Sequence, residues 1–220
     1  MSALEAVIER IEKARLAYSR HHIARFVAVS KYASRDQIAA LYAQGQRAFG
    51  ENKVQDLETK SAALKQEPIE WHFIGALQSN KINRLIALSP ALIHSIDSLE
   101  LALRCDDRLL REGRQQRALL QINSANESCK NGVAPEKAVD TYCEIVSRCK
   151  ALKLEGIMTI GAHTADRQVV QRSFETARDI YERLPAAVTL SMGMSGDFEL
   201  AIACGANLLR LGSALFDTSV

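Results

Sequence analysis

Lys31 ends the apolar run FVAVS at residues 26–30. In a strand, alternation places Val27, Val29 and Lys31 on one face. If that face is buried, the amine is poorly solvated, loses its proton more easily and can attack a carbonyl carbon to form a Schiff base. The alternative is a lysine that emerges into solvent at the end of a strand and does no chemistry.

Small residues and hydroxyls gather near the carboxyl end of the chain. AVTLS at 187–191 is followed by MGMSGDFELAIACG, where glycines allow a tight turn and main-chain N–H groups can face an anion. NLLRLG at 207–212 is followed by Ser213 and Ala214. Each stretch alone is typical of an ordinary turn. Because the two stretches follow consecutive strand-like runs, together they favour a phosphate site.

Arg210 interrupts the second of these runs. Alternation groups it with Leu208 and Gly212, so its guanidinium is expected to point into the protein. A buried guanidinium needs an acceptor, either a structural carboxylate or a heteroatom of a ligand. An amine, a phosphate site and an inward arginine suit an aldehyde that carries a phosphate, such as pyridoxal 5'-phosphate (PLP). A sugar-phosphate aldolase would need the same amine and phosphate site.

The elements that must position these residues follow a regular alternation of strand and helix. Stretches such as RDQIAALYAQG and DRQVVQRSFETARDIYERL have helical spacing and lie between the strand-like runs. Alternation of this kind predicts parallel strands joined by crossovers, and eight of them favour a (β/α)8 TIM barrel over the alternative, an open doubly wound sheet. The eight runs are FVAVS at 26, RAFG at 47, WHFIG at 71, LIHSI at 92, ALLQIN at 118, LEGIMTI at 154, AVTLS at 187 and NLLRLG at 207.

The two ends of the chain complete this picture. Only SALFDTSV follows the last run, which is too short for a full covering helix, whereas an amphipathic segment from Leu4 to about Tyr18 precedes the first run. We expect this extra N-terminal helix to cover the gap. Since no linker or change of composition divides residues 1–220, one domain is expected.

Composition limits the class of partner. The chain is 47% hydrophobic and 25% charged, and 28 basic against 26 acidic residues give a scattered net charge of +2, which argues against nucleic acid. We expect a cytoplasmic monomer without a signal peptide or a membrane-spanning segment. The five cysteines form no CxxC pair and the five histidines lack metal-ligand spacing, so reduced thiols and no metal are expected.

Six separated motifs are spread over nearly the whole chain: VSK at 29–31, FGENKVQ at 49–55, WHFIGALQSNK at 71–81, HSID at 94–97, SMGMSGDFELAI at 191–202 and RLGSALF at 210–216. Together they resemble the pyridoxal-phosphate homeostasis protein family, also described as proline synthase co-transcribed homologues. The resemblance implies a single barrel of the alanine racemase N-terminal type and PLP held as a Schiff base on Lys31.

By this resemblance, Asn52 lies beside the cofactor and Arg210 faces its pyridine nitrogen. The phosphate is held by Ser195, Gly212 and Ser213, and the phosphate loop is shaped by Ser191, Met192 and Gly193. The chain departs from the usual pattern in YAS after Lys31, in Ser213 where threonine is usual, and in GAHTADRQ after the sixth strand.

A barrel that binds PLP could be either a carrier of PLP or a PLP-dependent enzyme. An arginine at the pyridine nitrogen leaves it unprotonated, which weakens PLP as an electron sink. Racemisation needs a base on each face, and related racemases take one from a second domain that we do not expect here; Tyr32 is a weak substitute. We therefore expect a protein of vitamin B6 homeostasis that buffers PLP or delivers it to apo-enzymes, with no catalytic residues. The alternative is a small amino-acid racemase-like PLP enzyme.

Overall fold

Eight parallel strands close into a barrel in the order β1 to β8, in a computed structural model that describes residues 2–127 and 130–216. Every strand pairs with its neighbour in sequence, and β8 pairs with β1. The predicted (β/α)8 barrel and all eight predicted strands are confirmed. The strands are β1 Arg25–Val29, β2 Ala48–Glu51, β3 Glu70–Phe73, β4 Leu92–Ile96, β5 Gln116–Ile122, β6 Leu152–Thr159, β7 Thr189–Ser191 and β8 Leu208–Leu211.

The helices lie outside the barrel. Both crossover stretches named above are helical, as α2 and α7. Single 3-10 turns at Ser79–Lys81 and Pro135–Lys137 precede α4 and α6. The helices are α1 Ala3–Tyr18, α2 Arg35–Ala43, α3 Val54–Ala63, α4 Ile82–Leu88, α5 Leu99–Arg111, α6 Ala138–Arg148, α7 Arg167–Glu182, α8 Phe198–Ala203 and α9 Ser213–Phe216.

Helix α1 fills the place that the short C-terminal segment leaves open. It begins with a capping box, in which Glu5 N donates to Ser2 Oγ at 3.2 Å and Ser2 N donates to Glu5 Oε2 at 2.7 Å. Its buried residues Leu4, Val7 and Ile11 join the core, and the helix packs against α8 and α9. The expected covering role of the N-terminal helix is therefore confirmed.

Strand alternation divides the core into two parts. Ala28, Leu209 and Leu211 point outward into the large core between strands and helices. A small apolar cluster fills part of the barrel interior, and polar side chains occupy the rest. The interior cluster consists of Val27, Leu92, Leu119, Met158 and Leu208.

The described cysteines, Cys105, Cys143, Cys149 and Cys204, are free thiols, and Cys129 lies outside the described residues. Within residues 2–127 and 130–216, no helix is both long and apolar enough to cross a bilayer. The same residues bring no three His, Cys, Asp or Glu side chains together in an arrangement that could hold a metal ion.

Candidate functional site

The residues predicted from the sequence lie at the carboxyl ends of strands β1, β2, β7 and β8 or in the segments that follow them. Because all strands are parallel, these ends meet at one rim of the barrel, which is where barrels of this class place their functional groups. The structure joins some of these residues directly through hydrogen bonds. The side chains of Lys31 and Asn52 make none to the others among the described residues.

Lys31 lies just beyond β1. The strand ends at Val29, and Ser30–Ala33 forms a tight turn closed by a bond of 2.9 Å from Ala33 N to Ser30 O. The turn removes Lys31 from the alternation of the strand, so its side chain is exposed and its Nζ lies 4.9 Å from the centre of the Tyr32 ring. The inward face of Val27 is confirmed, but the predicted confinement of the Lys31 amine is wrong.

Arg210 points into the barrel, as alternation predicted, and is 5% exposed. Its Nη1 donates to Ser191 Oγ and its Nη2 to the Thr159 carbonyl, both at 2.7 Å. Burial lowers its pKa to about 10, partly opposed by the charge of Asp197, so the guanidinium stays charged at neutral pH. Among the described residues no carboxylate forms a salt bridge with it, so the structural ion pair considered above is wrong.

A row of hydrogen-bonded polar side chains, Ser191, His94 and His72, extends from Arg210 through the barrel interior. His94 Nδ1 lies 3.3 Å from Ser191 Oγ, and His94 Nε2 lies 2.9 Å from His72 Nδ1. Burial lowers the pKa of His72 to about 4 and that of His94 well below its ordinary value, and the arginines nearby act in the same direction. Both rings are therefore neutral at physiological pH.

The loops after β7 and β8 meet at Ser195. Its Oγ accepts hydrogen bonds from Gly212 N at 3.1 Å and from Ala214 N at 3.2 Å. Ser213, between these two, is exposed at the start of α9. The predicted phosphate residues Ser195, Gly212 and Ser213 are thus brought together, with hydroxyl and main-chain donors at one place.

Glycine is required at the beginning of this loop. Gly193 has φ +93°, and a Cβ there would lie 2.6 Å from Ala201 Cβ. The Gly193 carbonyl accepts a 3.0 Å bond from Arg210 N, which ties the loop to β8. Met192 is completely buried in the outer core, so it contributes to the loop through its backbone and not through its side chain.

Asn52 follows β2 and is half-buried at the rim. Its backbone is held close to Gly75, where a Cβ would lie 1.9 Å from Asn52 O, which explains the glycine in the WHFIG run. Asn52 lines a cavity of about 360 Å³ together with Gln121, Met158 and residues of other strand ends. Its lining residues lie at or just beyond the carboxyl-terminal parts of β2, β3, β5 and β6, and Asn52 is the predicted cofactor residue among them.

Two arrangements escaped the sequence analysis. One is the row of hydrogen-bonded side chains His72, His94 and Ser191. The other is the buried salt bridge between Glu51 and Lys60. Strand alternation in LIHSI and FGE is enough to predict which face of the sheet His94 and Glu51 lie on. Their partners come from other elements, which the sequence pattern does not specify.

The fold and the rim define a class of protein, a parallel barrel with an inward arginine and a glycine-rich loop after its seventh strand. In agreement, residues 3–220 match the family model described as "Alanine racemase, N-terminal domain".

Full-length relatives narrow the class. The Pyridoxal phosphate homeostasis protein of Helicobacter pylori is 57% identical over 213 residues, which cover 97% of this chain and 96% of the relative. The human protein of that name is 36% identical, over 97% of this chain and 84% of the relative. The chain belongs to the pyridoxal phosphate homeostasis protein family.

A solved structure supports the same assignment. The structure of PipY from Synechococcus elongatus with PLP bound is 33% identical and has a TM-score of 0.80. The match covers 94% of this chain and 98% of PipY.

Proposed function

We propose that this protein binds PLP as a Schiff base on Lys31 and contributes to PLP homeostasis in the cytoplasm without turning over a substrate. The family assignment and the PLP bound to PipY support this proposal. The observation within this chain that carries it is the buried Arg210 guanidinium, which has no carboxylate partner among the described residues.

Arg210 fits the pyridine ring of PLP. A guanidinium has more N–H donors than the two bonds to Ser191 and Thr159 use, and it cannot accept a hydrogen bond. A remaining donor suits an acceptor that carries no proton, such as an unprotonated pyridine nitrogen. A carboxylate at this position would instead have favoured the protonated ring.

The rim fits the other two groups of the cofactor. Because Ser195 Oγ accepts from Gly212 N and Ala214 N, its own proton is left to be donated to a ligand. Together with the exposed Ser213 hydroxyl, it gives donors that suit a phosphate. The exposed Lys31 amine is accessible to an aldehyde. When bound, PLP would supply an aldehyde that the Lys31 amine would hold through a C=N bond, with the aldehyde oxygen and two amine hydrogens leaving as water.

The absence of turnover is supported by the properties of Arg210 and Tyr32. Arg210 does not provide the acidic partner that completes the electron sink of many PLP enzymes. Tyr32, considered above as a second base, is 90% exposed and therefore not held in one position by packing. A racemase-like activity is the alternative, and loss of optical activity from L-alanine or L-serine would be its signature.

Transfer of PLP to an apo-enzyme tests the homeostatic role. The loaded protein, which we propose is a monomer, is mixed with an apo PLP-dependent enzyme, and recovery of that enzyme's activity is compared with PLP release into buffer. Recovery faster than spontaneous release supports delivery, whereas equal rates support a buffer that releases PLP freely. Racemisation of alanine that Lys31→Ala abolishes would contradict the proposal of no turnover.

A further inference from the structure

Ser30, the residue before Lys31, is held by several partners. Its N–H donates to the Gly50 carbonyl at 3.0 Å, and its Oγ donates to Glu51 Oε1 at 2.6 Å. Its carbonyl accepts from Lys60 Nζ at 2.6 Å as well as from Ala33 N at 2.9 Å. The turn that presents Lys31 is therefore fixed at its first residue.

Glu51 and Lys60 link this turn to the buried layer between β2 and α3. Lys60 on α3 donates to Glu51 Oε1 at 2.8 Å, so one ammonium binds both the carboxylate and the Ser30 carbonyl. The Glu51 side chain is completely buried, and that of Lys60 is 16% exposed. Alternation places Glu51 with Phe49, on the face of β2 that points away from the barrel interior toward the helices.

This pair is poorly arranged for stability alone. Glu51 Oε2 is buried and accepts no hydrogen bond from the described residues. A buried ion pair with an unsatisfied oxygen does not fully recover its desolvation cost, and apolar replacements of such pairs are often neutral or stabilising. What the pair does provide is a fixed position for Ser30, and through it for the backbone of Lys31.

We propose that Glu51 and Lys60 are positioning residues that hold the Ser30–Ala33 turn so that Lys31 is presented for Schiff-base formation. This inference depends on the proposed function, because it takes Lys31 as the residue that binds PLP. A small displacement of a reacting group is enough to slow a reaction strongly. Loss of the pair should therefore slow capture of PLP without unfolding the protein.

The double substitution Glu51→Leu with Lys60→Met tests the inference. It removes both charges together, and the Ser30 hydroxyl retains the Gly50 carbonyl, 3.4 Å away, as an acceptor. We expect a folded protein whose Schiff base forms roughly ten- to a hundredfold more slowly. In the PLP-free protein, hydrogen exchange at Ala33 N–H should be roughly tenfold faster because the turn opens more often.

Two controls separate positioning from general stability. Asp106 is another buried carboxylate, whose Oδ1 accepts from Ala151 N at 2.6 Å and Leu152 N at 2.8 Å. Asp106→Ala should destabilise the fold but leave both Lys31 capture and Ala33 exchange unchanged at temperatures where it is folded. Glu58 on α3 and Arg84 form an exposed salt bridge. Replacing both of these residues with alanine should change neither the rate of PLP capture nor the exchange of Ala33 N–H.

The outcomes distinguish this inference from the proposed function. If PLP labels Lys31 in the parent at the same rate as in the double variant, and Ala33 exchange is unchanged, the inference is overturned while the proposed function stands. If the parent gives no adduct on Lys31, the proposed function itself is wrong. Should the double variant not fold, Glu51→Gln gives the same test. Lys60→Arg, which keeps a cation at this place, should capture PLP at the rate of the parent.

Discussion

Arg210 donates a hydrogen bond of 2.7 Å from Nη1 to Ser191 Oγ, deep in the barrel interior. Since the hydroxyl accepts there, its own proton is left to be donated to His94 Nδ1. A neutral His94 then carries its proton on Nε2 and donates to His72 Nδ1. One guanidinium, which can only donate, thus sets the direction of a row of hydrogen bonds through the barrel.

This direction predicts the tautomers of both histidines. We expect His94 and His72 to carry their protons on Nε2 at neutral pH, which nitrogen-15 chemical shifts of the two rings measure directly. In Ser191→Ala the fixed donor to His94 is lost, and His94 should show mixed tautomers. An Nδ1-protonated His94 in the parent would contradict the arrangement.

The two histidines also predict how stability depends on pH. The folded pKa of His72, about 4, lies below its ordinary value of 6.5, and that of His94 is shifted in the same direction. The unfolded chain therefore takes up these protons first, so stability is fully present above about pH 6.5 and falls toward pH 4. Each proton contributes about 1.4 kcal/mol per pH unit.

Denaturant unfolding at a series of pH values measures this slope. His72 alone should account for roughly 3 kcal/mol between those limits. His72→Gln serves as the control, because it should remove the share of His72 from the slope while leaving those of His94 and the carboxylates. A variant as steep as the parent would show that His72 is not the source.

Two glycines of the β7 loop should differ sharply in their tolerance of alanine. Gly193 has φ +93° and a Cβ there would lie 2.6 Å from Ala201 Cβ, whereas a Cβ at Gly196 would meet no atom within 4 Å. We expect Gly193→Ala to lower the free energy of unfolding by roughly 1–3 kcal/mol and to weaken PLP binding. Gly196→Ala should change neither quantity beyond about 0.5 kcal/mol, and equal losses in both would contradict this loop geometry.

Substitution of Arg210 by lysine should keep the positive charge but lose the planar arrangement of several N–H donors. A single ammonium cannot reproduce the planar fork that donates to Ser191, to Thr159 and to a ligand. We expect PLP to bind roughly tenfold more weakly and its absorption spectrum to change. A titration followed by absorbance measures both, and an unchanged spectrum would place the pyridine ring away from Arg210.

Much of the fold could be predicted because each of its signals is local. Apolar runs separated by helical spacing gave all eight strands, and alternation in NLLRLG gave the inward direction of Arg210. The predicted burial of the Lys31 side chain is wrong because strand alternation ends at Val29, and the residues that follow form a turn.

The remaining features depend on pairs of residues distant in sequence. Lys60 reaches Ser30 from another element, and Ser191 reaches His94 across the barrel. Such contacts follow from the register of the strands and from helix placement, which no local pattern encodes. The roles in PLP binding of Lys31, Asn52 and the phosphate-loop residues stay predictions.

Borohydride reduction of the PLP-loaded protein, followed by peptide mass mapping, shows directly whether Lys31 carries the cofactor. Reduction fixes PLP as a stable pyridoxyl group on the lysine to which it was bound. We expect a single adduct on Lys31 that is absent from Lys31→Ala. An adduct on another lysine of the parent, or none after incubation with PLP, would contradict it.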